Sequence, residues 1–207
     1  MNRPRRLVLV TGTGTGVGKT WWTANVAARL RDRGITVAAR KPVQSFRPDD
    51  GATDADILGE ATGASPPDVC PPHRWYPVAA APPMAAQILG RSPFTTAELV
   101  AELSWPDDCT VGFVEGVGGP RSPLSSDGDG VDLGAAVAPG LTVLVADAGL
   151  GAINAVRLCA DVLATPLVVV LNRFDDHDDL HRRNREWLEG SYDVVVDPDA
   201  LAERLAG

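Results

Sequence analysis

The sequence predicts an α/β fold, a mostly parallel sheet with helices on both faces, and three observations predict it. Short apolar runs alternate with stretches of helical periodicity, the order that packs helices over both sides of a parallel sheet. The runs are continuously apolar, as strands buried on both faces are. The first run leads through a glycine-rich loop straight into a helix.

Taken in order, Leu7–Val10 is the first strand and Lys19–Arg31 the first helix, with Trp22, Val26 and Leu30 at helical spacing ahead of the polar turn Asp32-Arg33-Gly34. Further strands are predicted at Thr36–Ala39, Thr110–Val114, Thr142–Ala146, Leu167–Leu171 and Val194–Val196. Further helices are predicted at Asp54–Ala61, Pro83–Leu89, Thr96–Leu103, Asn154–Leu163, Asp179–Leu188 and Asp199–Leu205. Two segments rich in Pro, Gly and Ala, 64 to 83 and 116 to 140, read as loops, the second mobile and beside a candidate site. No period of self-similarity is present, and 207 residues suit one domain spanning 1–207.

Between the first strand and helix, Val10 to Thr20 reads Val-Thr-Gly-Thr-Gly-Thr-Gly-Val-Gly-Lys-Thr, a phosphate-binding loop of the P-loop NTPase kind. Its glycines let the backbone curl and present N–H groups to an anion, while the helix N-terminus adds partial positive charge. The nucleotide-binding candidates are Gly14, Thr15, Gly16, Val17, Gly18, Lys19 and Thr20. Lys19 would reach the β- and γ-phosphates, and the Thr20 hydroxyl would take a place on Mg²⁺. Counted from Gly12 the loop is one residue longer than the commonest pattern.

Ligands of open α/β sheets collect beyond the carboxyl ends of the strands. Three more strand ends carry suggestive residues: Lys41-Pro-Val-Gln-Ser45, Glu115-Gly-Val-Gly-Gly119 and Asp147 to Asn154. Together they describe one crevice with a second lysine, a carboxylate and free backbone amides.

Bulk properties exclude other classes. A net charge of −8 argues against a nucleic-acid partner. The apolar run after Arg3, Arg5 and Arg6 is too short for a signal peptide, and no later stretch would span a membrane. Cys70, Cys109 and Cys159 are scattered and lack metal-ligand spacing, as expected of reduced thiols in a cytoplasmic protein. His177 and His181 have i,i+4 spacing without a third ligand, so they are read as ordinary polar residues.

The loop, the Lys41 pentapeptide, Val114-Glu-Gly-Val-Gly-Gly119 and Gly149-Leu-Gly-Ala-Ile-Asn154 fall in the order and approximate spacing of dethiobiotin synthetases, which the chain resembles up to about residue 172. The resemblance implies a homodimeric enzyme using ATP and Mg²⁺. Such an enzyme carboxylates 7,8-diaminononanoate (diaminopelargonate) with CO₂ and closes the ring to dethiobiotin through a carbamate and a carbamic–phosphoric anhydride. On the same resemblance, Lys41, Lys19 and Thr15 are catalytic, and Thr20, Asp54 and Glu115 hold the metal. Thr15, Lys41, Ser45 and Gly118 meet the substrate, Thr15 and Ser45 by donating hydrogen bonds. Gly151, Ala152, Ile153 and Asn154 take its tail carboxylate from the neighbouring subunit, and Asn172 contacts adenine. Asp56, two residues after Asp54, is an open alternative as metal ligand. The sequence departs from many members at Gly14, Phe46 and Ala155. Two rivals share the phosphate loop: a partition or septum-placement ATPase switch, disfavoured by Gly14 and the acidic charge, and a ligase of the same fold acting on another substrate.

Overall fold

The computed structural model describes residues 3–163 and 166–207. In chain order these form β1 (Arg6–Gly12), α1 (Lys19–Asp32), β2 (Val37–Arg40), β3 (Gln44–Ser45), α2 (Asp54–Thr62), α3 (Pro66–Val69), a 3₁₀ turn (Pro72–Arg74), β4 (Trp75–Tyr76), α4 (Pro82–Ile88) and α5 (Thr96–Ala101). There follow β5 (Val111–Glu115), α6 (Gly130–Val137), β6 (Leu141–Asp147), α7 (Ala152–Ala160), β7 (Leu167–Asn172), α8 (Asp179–Glu189), β8 (Asp193–Val195) and α9 (Pro198–Ala206). Six strands make one parallel sheet in the order β2, β5, β1, β6, β7, β8.

Side-chain alternation assigns the two layers. Val8, Val10, Val143, Val145, Val168 and Val170 face one side, where they pack with Trp22, Val26 and Leu30 of α1 and Leu201 and Leu205 of α9. Their neighbours Leu7, Leu9 and Val114 face the other side, against Ala85, Leu99, Leu133 and Val137 of α4 to α6. Leu144, Val169 and Leu171 continue that side with Val156 of α7 and Leu188 of α8. Burying each such Val or Leu contributes roughly 1.5–3 kcal/mol, so this two-faced packing is the main source of stability.

Every predicted strand and helix is present, with ends displaced by at most three residues. The two predicted loops are corrected. Segment 64–83 holds α3, the 3₁₀ turn, β4 and the start of α4. Segment 116–140 holds α6, which Asp129 starts by accepting from Val131 N at 2.8 Å and Asp132 N at 3.2 Å while Asp132 returns a bond to Asp129 N at 2.9 Å. Those caps offset the low helix propensity of Gly130 and Gly134. Gly134 also lets α6 approach β1, since a Cβ there would lie 3.1 Å from Leu9 Cδ2.

The short β3 and β4 pair in parallel, Ser45 against Tyr76. A stack secures them: Tyr76 lies on Phe94 with centroids 5.6 Å apart, and Arg74 and Arg91 cover the Phe94 and Tyr76 rings at 4.7 and 5.1 Å. This fixes the segment after β2 that carries Ser45 and Phe46. The register pairs Val10 with Glu115, Gly12 with Val145 and Asp147 with Asn172, so the strand ends share one rim. Cys70, Cys109 and Cys159 are free thiols, and among the described residues no helix is long and apolar enough to cross a membrane.

Candidate active site

The loop after β1 curls over the first turn of α1. Gly18 stands at its N-cap with φ 99° and supplies no side-chain cap. The first N–H groups of α1 therefore have no side-chain cap, at the place where the sequence leads one to expect an anion. α7 begins the same way, at Gly151 with φ 90° and no side-chain cap, whereas α2, α8 and α9 are capped by Thr53, Asp178 and Asp197.

Beneath the loop, four predicted side chains converge from four elements or their ends. Thr20 Oγ1 lies 2.7 Å from Asp54 Oδ1 and 2.8 Å from Glu115 Oε1. The Lys41 ammonium, just past β2, lies 2.7 Å from Asp54 Oδ2 and 2.8 Å from Glu115 Oε1, and donates to Gly116 O at 3.0 Å. Glu115 is fully buried and Lys41 nearly so, at 0% and 2% exposure. Burial alone would lower the Lys41 pKa, but the Asp54 and Glu115 carboxylates outweigh it and raise it above the usual lysine value. Burial likewise opposes the charge on Asp54, and Lys41 with its hydrogen bond outweighs this and holds the carboxyl below its usual range.

Lys19 folds back so that Nζ donates to Gly14 O at 2.9 Å. Burial first, then the charge of Lys41, brings its pKa down to about 8. An anion beside Lys19 would offset both effects, whereas Lys41 already has Asp54 and Glu115 to balance its charge.

A cavity of about 690 Å³ opens on this cluster, within the range of small-molecule sites. Thr15, Lys19, Thr20, Lys41, Ser45, Asp54 and Gly118 line it, together with an apolar side of Phe46, Ala79, Ala81, Pro82, Val117 and Pro123. Asp56 is engaged elsewhere: its carboxylate accepts from Thr53 N and Thr53 Oγ1 at 2.8 and 2.7 Å in the α2 cap. Of the two aspartates, Asp54 is the one brought to the cluster.

Ser45 sits differently from its expected use, and the surroundings of Asn172 and Asn154 bear on theirs. The Ser45 hydroxyl donates to Ala80 O at 2.7 Å, so toward a ligand it offers lone pairs rather than the expected proton. Asn172 Nδ2 donates to Val17 O and Asn172 Oδ1 accepts from Trp22 Nε1, each at 2.9 Å, so its amide ties the loop and α1 to β7 with one N–H and one lone pair left over. Asn154 is the third residue of α7, exposed, and neither caps the helix nor meets a described partner. Gly151 to Asn154 do not line the cavity of their own chain.

Sequence reasoning missed three supporting residues. Thr23 donates to Glu115 Oε2 at 2.8 Å, and only its i+3 position after Thr20 hinted at a shared face. Gln44 Oε1 accepts from Ala55 N at 3.0 Å and so anchors the helix that carries Asp54. Trp22 fixes Asn172, as above.

Gly18 has no room for a side chain. Its positive φ disfavours any other residue, and a Cβ would lie 2.1 Å from Asn172 Nδ2. Gly18→Ala is expected to destabilise the ligand-free protein by about 1–3 kcal/mol and to weaken nucleotide binding. Urea denaturation checks this, and an unchanged midpoint would show the loop-to-Asn172 clamp to be dispensable.

A parallel sheet whose central strand runs into a glycine-rich loop and an uncapped helix, with lysine and threonine on its first turn, defines a P-loop NTPase-type α/β protein. The signal recognition particle receptor FtsY from Elizabethkingia anophelis shares this fold, with a TM-score of 0.56 over 100% of this chain and 67% of that chain at 14% identity. A family model described as an AAA domain matches residues 6–196. The ATP-dependent dethiobiotin synthetase of Haloferax mediterranei is 37% identical, with 87% of this chain and 77% of that protein aligned. Enzymes of the same name from an Anaeromyxobacter species and from Mycobacteroides abscessus are 38% and 34% identical over 84% and 92% of this chain, covering 79% and 84% of theirs. The chain belongs to the ATP-dependent dethiobiotin synthetase family.

Proposed function

We propose that the chain, acting as one domain over residues 1–207, carboxylates 7,8-diaminononanoate and closes it to dethiobiotin with consumption of ATP, a step of biotin synthesis. The observation that carries this reading is the meeting of Lys41, Asp54, Glu115 and Thr20 at the foot of the phosphate loop, inside a cavity with one apolar side.

The donor set suits Mg²⁺. One hydroxyl proton on Thr20 serves two carboxylate oxygens, leaving excess oxygen lone pairs in an all-oxygen cluster. Thr20, Asp54 and Glu115 would hold the ion, which when bound neutralises phosphate charge.

The diamine carries an aliphatic chain, and the apolar side of the cavity suits it. One amine attacks CO₂, loses a proton and becomes a carbamate. Its oxygen then attacks the γ-phosphorus, and ADP leaves. Both partners are anionic, and at 4 Å with an effective dielectric of 20 one pair of unit charges repels by roughly 4 kcal/mol. Lys19 and Lys41 stand on either side of that encounter and lower its cost most where charge accumulates. Thr15 and Gly118 confine the transferring group, and Ser45 accepts from an amine. The second amine then attacks the anhydride carbonyl and expels phosphate, so no protein nucleophile is needed. Residues 14–20 hold the nucleotide, and Asn172 steadies their loop from below.

The protein is proposed to be cytoplasmic and, given its net charge of −8, without nucleic-acid or membrane partners. It is proposed to act as a homodimer in which Gly151 to Asn154 receive the substrate carboxylate across the interface. Leu150, next to them, is 93% exposed, more than a lone chain gains from. Lys41→Met and Asn154→Asp should each be nearly inactive, the second by repelling the carboxylate. Mixed in equal amounts they should regain roughly a quarter of wild-type activity, because half the dimers hold one site with both native residues. No recovery after subunit exchange would mean that each site is built from one chain.

The activity is tested by supplying diaminononanoate, bicarbonate and MgATP and following dethiobiotin by mass spectrometry. One ADP per dethiobiotin is expected, and absence of product would reject the assignment.

A further inference from the structure

Trp21 follows Thr20 directly and is 52% exposed, although it is a large aromatic residue and borders the cavity together with Gly16 and Gly18. It lies about 100° round the helix from Thr20, and its Cβ tilts toward the helix N-terminus, over the loop. The ring is braced. It meets Trp22 edge-on with centroids 5.8 Å apart, and Trp22 is tied to Asn172 at 2.9 Å.

The γ end of a nucleotide on this loop must face Lys41, where the acceptor forms. Its nucleoside end therefore leaves in another direction, across the first turn of α1, where Trp21 stands. An open, braced indole beside the phosphate loop offers the apolar surface that a ribose and base need on leaving water.

We propose that Trp21 is the surface on which the nucleoside part of the nucleotide packs, and so a nucleotide-affinity residue of this site. The proposal rests on residues 12–20 being the phosphate loop, and the test separates the two. Binding of MgADP and of magnesium tripolyphosphate is measured by calorimetry for wild type, Trp21→Ala and Trp21→Phe. Trp21→Ala is expected to weaken MgADP by about tenfold or more while leaving tripolyphosphate nearly unchanged, and Trp21→Phe to keep most of the affinity for MgADP. Unchanged MgADP affinity in Trp21→Ala overturns the proposal. Equal weakening of both ligands also overturns it, because Trp21 would then only support the loop. A wild-type protein that binds neither ligand rejects the phosphate-loop reading beneath it.

Discussion

Lys41→Met is expected to lower kcat by about 10³-fold while MgATP still binds, the equivalent of the roughly 4 kcal/mol of repulsion that one ammonium screens between carbamate and phosphate. The geometry adds a second, separable effect. Lys41 is the cation at hydrogen-bond distance from both Asp54 and the fully buried Glu115. Methionine keeps the length of the side chain and removes that charge, leaving a buried carboxylate uncompensated. Breaking a buried pair in this way typically costs about 3–5 kcal/mol, so the ligand-free variant should melt well below wild type. Most of that loss comes from Glu115, because the Asp54 side chain is 38% exposed and solvent screens its share. Adding Mg²⁺ should raise the melting temperature more in the variant than in wild type, since it supplies the missing positive charge. Steady-state kinetics and melting curves with and without Mg²⁺ check both effects. Near-normal kcat would remove Lys41 from the reaction, and a melting temperature indifferent to Mg²⁺ would remove the ion from this cluster.

Glu115→Gln is expected to raise the Mg²⁺ concentration for half-maximal activity by about tenfold or more, with a smaller loss of stability of about 1–3 kcal/mol. Glu115 accepts from Thr20, Thr23 and Lys41 at 2.8 Å each, every partner a donor. A carboxylate has lone pairs for all of them, whereas glutamine turns an N–H₂ toward one of the three. The buried amide would then leave one donor facing another. The change keeps shape and burial, so a shift in the metal titration reports charge at this position. An unchanged titration would mean that Glu115 is not a ligand and serves only to hold Thr20, Thr23 and Lys41 together.

The large strands were legible because a strand buried on both faces writes itself as an unbroken apolar run. Packing of Val8 and Val10 against α1 and α9, and of Leu7 and Leu9 against α4 to α6, leaves Leu7 to Val10 no solvent side. The short β3 and β4 were not legible, since two residues carry no periodicity and their pairing depends on a stack of Tyr76, Phe94, Arg74 and Arg91 brought from separate segments. α6 was hidden by its glycines, although Asp129 and Asp132 at capping-box spacing could have revealed it. In the site, Lys19, Lys41, Asp54 and Glu115 were readable because each follows or ends an apolar run or begins a helix. The direction of the Ser45 proton was not, because it is decided by Ala80 O, 35 residues away. Nor were the bonds that Asn172 makes to Val17 and Trp22, which depend on how closely α1 approaches the end of β7.

The common rim of the strands bears on how freely this protein can change. Val8, Val143, Val145 and their neighbours complete the packed floor before the rim begins, so most rim positions can be exchanged without dismantling what holds the chain together. Gly118 is fixed by its φ of 58° and by Ser122 Oγ, 2.3 Å from where a Cβ would lie, but Thr15, Ser45 and Phe46 belong to that tolerant layer, where new substrate preferences could arise by mutation at small cost in stability. Glu115 does not, being both the last residue of a central strand and a member of the charged cluster. Selection on this scaffold should therefore explore the loops widely and return to the same carboxylate each time.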